Sequence, residues 1–130
     1  LFSAGIGTTP MLSFLSELIE KGPQRPVTVV HADRSLDTWP LREELTELVN
    51  KLPNARLISF IEGEGGDFAG RVDVSKLDVP SDANVYLCGP LPFMQGVRSA
   101  LVEAGVPGKN INYEIFGPDQ WMLHDQAREA

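Results

Sequence analysis

At 130 residues and 42% hydrophobic composition, the chain fits one globular domain with a core large enough to fold unaided and no room for a second. Its single cysteine excludes an internal disulfide and a cysteine-rich zinc site. A net charge of −7 disfavours nucleic acid as a partner, because affinity for phosphate polymers comes from clustered Lys and Arg. No apolar run approaches the roughly 18 residues of a membrane span and no signal peptide opens the chain, so the expected setting is cytoplasmic, with no membrane partner.

Leu1-Phe2-Ser3-Ala4 reads as the tail of a first strand whose beginning is missing, since the chain opens without methionine and its first apolar run is cut short. The turn Gly5-Ile6-Gly7-Thr8-Thr9 follows, then a helix from Pro10, with Thr9 suited to cap it and proline to its first position. Met11, Leu12, Leu15, Leu18 and Ile19 recur at helical spacing until Gly22-Pro23, which predicts a left-handed stop. Val27 to His31 is a β-branched run that predicts a second, buried strand. Asp37 or Thr38 is placed to cap a helix starting near Pro40, whose stripe is Leu41, Leu45, Leu48, Val49 and Leu52.

Arg56 to Ile61 predicts a third strand, and the four glycines between Glu62 and Gly70 a mobile loop. A short helical turn is expected near Val74 to Leu77, and a fourth strand over Val85 to Cys88. Gly89-Pro90 leads into a helix carrying Phe93, Met94, Val97, Leu101 and Ala104, closed by Gly105. Ile111 to Ile115 is a fifth strand. Alternating strands and helices predict an α/β fold: a three-layer, doubly wound, five-stranded parallel sheet of order 3-2-1-4-5, its first strand truncated. Ligands of such sheets bind at the strands' carboxyl ends where the order reverses, here between strands one and four. The turns Gly5 to Thr9 and Cys88-Gly89-Pro90 both fall there.

A G-x-G turn lets backbone approach a pyrophosphate, and the helix start behind it offers N–H groups and partial positive charge. Gly5 and Gly7 fit that role, with Thr8 and Thr9 as added donors; the plain alternative is a tight turn that binds nothing. Pro10 stands where a dinucleotide fingerprint has its third glycine, which points to another nucleotide-binding family. Asp33-Arg34, after the second strand, are placed to face an adenosine ribose, where Asp33 opposes a 2′-phosphate and Arg34 attracts one; the balance leans to NADH over NADPH. His31 and His124 have no partner spacing that suggests a metal pair or a nucleophile and base, and read as structural or solvated. Metal ligands are not expected.

Three motifs in order, G-I-G-T-T-P at 5–10, C-G-P at 88–90 followed by Phe93-Met94, and Y-E-I-F-G-P at 113–118, resemble the NAD(P)-binding domain of the ferredoxin–NADP reductase superfamily, and most of all the reductase part of flavohaemoglobins. The resemblance implies that Gly5, Ile6, Gly7, Thr8, Thr9 and Pro10 hold the pyrophosphate and that Cys88, Gly89 and Pro90 sit beside the nicotinamide. It also implies that Phe116, with Ile115, Gly117 and Pro118, packs on a flavin whose redox behaviour Glu114 tunes. Cys88, Glu114 and Phe116 are then the residues nearest the chemistry. The sequence departs from the flavohaemoglobin pattern at Thr8, where glutamine is usual, and at Ile115, where cysteine is usual.

On this resemblance, residues 1–118 form a reductase domain that passes a hydride from NAD(P)H to FAD held by a missing, preceding β-barrel domain of the same chain, for onward transfer to a haem or 2Fe–2S domain. Residues 119–130 are a polar tail, and the fragment alone is expected to catalyse nothing. A reductase serving a 2Fe–2S oxygenase is the rival within enzymes. A receiver-type signalling domain shares the shape, but it needs an acidic cluster after strand one and an Asp after strand three, where this chain has Gly5-Ile6 and Glu62-Gly63.

Overall fold

The computed structural model describes residues 1–115, with side chains through Tyr113. Six parallel strands form one sheet: β1 (Phe2–Ala4), β2 (Val27–Asp33), β3 (Ala55–Ile61), β4 (Phe68–Ala69), β5 (Val85–Gly89) and β6 (Ile111–Ile115). Their order is β4-β3-β2-β1-β5-β6, so the five longer strands take the expected order and β4 adds a sixth at the edge. Two residues in a glycine-rich stretch carry no periodicity, so no sequence pattern marks β4. It is held by pairing Phe60 with Phe68, whose rings stack at 5.0 Å. Asp67 also accepts hydrogen bonds from the backbone N–H and hydroxyl of Ser59 and donates its own N–H to that hydroxyl.

Three helices cover the sheet: α1 (Thr8–Lys21), α2 (Arg42–Asn50) and α3 (Leu91–Glu103). Strand residues alternate between two cores. Met11 and Leu15 of α1 and Leu45 and Val49 of α2 pack on Val29 and Ile61 on one face. Met94, Val97 and Leu101 of α3 pack on Val30 and Leu87 on the other. Each fully buried Leu or Met contributes about 1.5–3 kcal/mol, so both stripes are needed to hold their helices on the sheet. Among the described residues, no helix is long and apolar enough to cross a membrane.

Several local expectations change. α1 begins two residues early, at Thr8, behind a 3₁₀ turn over Gly5–Gly7, so Thr9 lies inside the helix and does not cap it. Gly22 ends α1 at φ −157°, ψ 57°, outside the left-handed region expected of the stop. α3 has the left-handed stop, with Gly105 at φ +104° and Val106 N–H donating to Leu101 O. α2 starts at Arg42 with no side-chain cap, preceded by Leu41 in a left-handed conformation, φ +55°. Thr38 does not reach this helix because its hydroxyl is turned back to Asp33 and to Ser35 O.

Candidate functional site

Parallel strands bring their carboxyl ends to one edge, where β1 and β5, neighbours in the sheet, leave toward helices on opposite faces. The two exits interlock. A Cβ built on Gly7 would lie 2.2 Å from Cys88 O, and one on Gly89 would lie 3.3 Å from Ala4 N and 3.0 Å from the Phe93 ring. Gly89 also holds φ +155°. The smallness of Gly7, Cys88 and Gly89 is therefore spent on packing turn against turn, and all three are buried.

Gly5 differs. It holds φ +54°, and a Cβ there would meet nothing within 4 Å, so its face is open. In the continuous run from the 3₁₀ turn into α1, Thr8 N–H is already bonded to Gly5 O and Ile6 O. The N–H of Ile6, at the exposed tip of this turn, is the backbone donor with no carbonyl one turn back. Thr9 is exposed and Pro10 half-buried beside it. Ile6 and Leu91, 57% and 42% exposed, leave an apolar rim at the β1 and β5 exits, with exposed Pro90 between β5 and α3.

Thr8 does not face this opening. It is fully buried, and its hydroxyl lies 3.2 Å from Gly5 O and 3.2 Å from His31 Nδ1. His31, also fully buried, centres a network that no sequence spacing exposed. Ser3 Oγ lies 2.7 Å from its Nδ1, and its Nε2 lies 3.0 Å from Asp33 Oδ2. The Trp39 ring stacks on the imidazole at 4.4 Å, with a buried indole N–H that has no partner among the described residues. A carboxylate only accepts, so Nε2 carries the proton and Nδ1 is the acceptor for Ser3. Burial, the larger effect, lowers the His31 pKa against the raising influence of Asp33, which keeps the ring neutral.

Ser3, His31 and Asp33 are the residue types of a hydrolytic triad in hydrogen-bonded sequence. They cannot act as one, because Ser3 and His31 are both 0% exposed and a substrate cannot reach the hydroxyl. The signal that could have found this cluster is the register Ser3↔His31 between two parallel strands, which puts both side chains on one sheet face.

Asp33 is fixed from three sides: His31 at Oδ2, and the Arg34 N–H and Thr38 hydroxyl at Oδ1. Its side chain keeps 7% exposure, and one of its roughly four acceptor sites is unspent. The Arg34 side chain is exposed and, among the described residues, makes no hydrogen bond or ion pair. The structure thus brings Gly5 to Pro10, Asp33-Arg34 and Cys88 to Pro90 to one edge of the sheet. The backbone of Glu114 and Ile115 pairs with Cys88 and Gly89 at that same edge. The side chains of those two residues, and all of Phe116, Gly117 and Pro118, lie outside the described residues.

Depth does not mark this edge. A cavity of about 650 Å³ lies at the opposite, amino ends of the strands, among Phe14, Leu18, Arg25, Leu77 and Tyr86. What marks the strand exits is the open Gly5 face, the exposed Ile6 tip leading into α1 and the fixed carboxylate beside it.

Residues 1–99 match the family model described as the oxidoreductase NAD-binding domain. The chain is 39% identical over 128 residues to the flavohemoprotein of Bordetella pertussis, covering 90% of this chain and 32% of that protein. Among solved structures, the flavohemoglobin of Malassezia yamatoensis with bound FAD and heme is 48% identical with a TM-score of 0.85, over 89% of this chain and 30% of that one. The FAD/NAD-binding domain of the Vibrio cholerae nitric oxide dioxygenase is 32% identical with a TM-score of 0.82, over 90% and 50%. The chain spans about a third of the length of the curated relatives it matches. It belongs to the oxidoreductase NAD-binding domain family, within the ferredoxin–NADP reductase superfamily and close to the reductase part of flavohaemoglobins.

Proposed function

We propose that this chain is the pyridine-nucleotide module of a flavohaemoglobin acting as a nitric oxide dioxygenase. In that role it holds NADH across the exits of β2, β1 and β5 for hydride delivery to FAD in a β-barrel domain, from which electrons pass singly to a globin haem. Residues 1–118 form the module and 119–130 a polar tail. The observation that carries the reading is the open, left-handed Gly5 with exposed Ile6 at the tip of the turn into α1, beside interlocked turns from the two central strands.

These residues fit a dinucleotide. The turn Gly5-Ile6-Gly7, with the Ile6 N–H at its tip and the exposed Thr9 hydroxyl beside it, cradles a pyrophosphate at the start of α1, aided by a helix dipole worth about 0.3–1 kcal/mol. Pro10 and buried Thr8 shape the turn from behind. Asp33 accepts from a ribose hydroxyl and repels a 2′-phosphate, which favours NADH; exposed Arg34 is the counterweight that would attract one. Cys88, Gly89 and Pro90 wall the nicotinamide end, and Glu114, Ile115, Phe116, Gly117 and Pro118 continue toward the flavin. Bound NADH supplies the hydride, and the protein's task is to align its donor carbon and exclude water.

Calorimetric titration with NADH, NADPH and ADP tests this, using Gly5→Asn and Gly5→Asp. Both side chains tolerate a left-handed backbone and have open space, but only Asp adds a negative charge where the phosphates belong. Saturable ADP binding weakened about tenfold or more by Asp beyond Asn is expected, the scale of a close like-charge contact. Equal affinities in the two variants would place the pyrophosphate elsewhere.

A further inference from the structure

We propose that His31 is a positioning residue for nucleotide recognition, one imidazole setting both the ribose-side carboxylate and the pyrophosphate turn. The inference rests on the nucleotide reading above and assigns the residue beneath that site which orders its two halves. The geometry separates the two functions by ring nitrogen. Nε2–H donates to Asp33 Oδ2 at the β2 exit, while Nδ1 accepts from Ser3 at 2.7 Å on β1. Ser3, at the shorter distance, takes the single Nδ1 lone pair, which leaves the Thr8 hydroxyl for Gly5 O, the carbonyl of the open glycine. Trp39 clamps the ring plane at 12°.

A ring so held cannot rotate, and the Thr8 hydroxyl that bonds Gly5 O lies against its Nδ1 at 3.2 Å, so the Asp33 carboxylate and the Gly5 carbonyl keep a fixed relation. The adenosine ribose and the pyrophosphate of one ligand are joined covalently, and a site that recognises both gains from not having to order its two contacts on binding. Asp33 keeps an unspent acceptor position for a ribose hydroxyl because His31 directs where its other lone pairs point.

Two substitutions divide the ring's work. His31→Gln places an amide N–H₂ near the old Nε2, able to hold Asp33, but loses the acceptor toward Ser3. His31→Asn places a carbonyl near the old Nδ1, able to accept from Ser3, but no longer reaches Asp33. NADH and NADPH affinities of the full 130-residue chain are read by amide NMR titration for wild type and both variants, with urea denaturation alongside.

His31→Asn is expected to lower the NADH-over-NADPH preference on the order of tenfold, and His31→Gln to weaken both ligands by a similar factor with the preference kept, the scale of one charge-assisted hydrogen bond. Equal losses for both ligands in both variants, or no loss, would overturn the proposal and leave His31 a packing residue. If wild type bound neither nucleotide, the nucleotide reading itself would fall, and this inference with it. Should a variant not fold, the imidazole ¹⁵N spectrum of the wild-type chain decides: an Nε2–H tautomer whose shifts move on NADH addition supports the proposal, and an Nδ1–H tautomer or shifts indifferent to NADH refute it.

Discussion

Gly7 rests directly on the carbonyl of Cys88, so close that a methyl group on its α-carbon would stand 2.2 Å from the oxygen. A glycine that reads as an opening for a ligand is thus the contact by which the start of α1 sits against the end of β5. Gly7→Ala is expected to destabilise the chain by about 1–3 kcal/mol, as overpacking does. Gly96→Ala, in mid-α3 with nothing within 4 Å, is expected to stabilise it by about 0.5–1 kcal/mol. Urea denaturation of both compares them, and a Gly7→Ala chain as stable as wild type would refute the contact.

Acid should weaken the fold through His31. Its folded pKa lies below the ordinary 6.5, so the unfolded chain takes up the proton first. Stability is full above about 6.5 and declines as pH falls from there toward the folded value. Among the described residues the charged partner at the ring is Asp33, with Ser3, Thr8 and Trp39 also against it. Denaturation at pH 7.5 and 5.5 should show wild type losing more stability than His31→Gln, which lacks the titrating ring. A wild type that gains relative to the variant on acidification would contradict the assignment.

The charge of Asp33 should set the choice between nucleotides. Asp33→Asn keeps the shape and removes the repulsion of a 2′-phosphate, so the ratio of NADPH to NADH affinity is expected to rise about tenfold. An unchanged ratio in titrations of the two ligands would mean that the 2′ position lies away from β2.

The Asp67 carboxylate should anchor the glycine-rich loop to β3. Asp67→Ala strips the acceptor from the Ser59 N–H, which belongs to a residue 7% exposed, and is expected to cost about 1–3 kcal/mol. Hydrogen exchange at the Ser59 amide should accelerate in step, whereas unchanged protection would show that the bond contributes little.

What the sequence revealed was whatever repeats locally: the stripe of α1 through Met11 and Leu15, the β-branched run of β2, and the placing of two distinctive turns at the point of strand-order reversal. It concealed whatever depends on register between distant segments. Ser3 and His31 are 28 residues apart and meet only because β1 and β2 pair in parallel. Thr38 looked like a helix cap because capping is the commonest use of threonine before an apolar stripe, yet Asp33 outcompetes the helix for its hydroxyl. Gly7 and Gly89 were visible as glycines, but the neighbours that require them come from the other turn.

The stack of Trp39 on His31 gives the molecule an optical reporter of its own. An indole sealed from water emits at shorter wavelength than an exposed one, and a protonated imidazole against its face quenches it. The chain has two tryptophans, so replacing Trp121 with phenylalanine leaves Trp39 as the sole emitter. Its fluorescence would then follow the ring's protonation and any shift of the network on nucleotide addition, in a cuvette and without label.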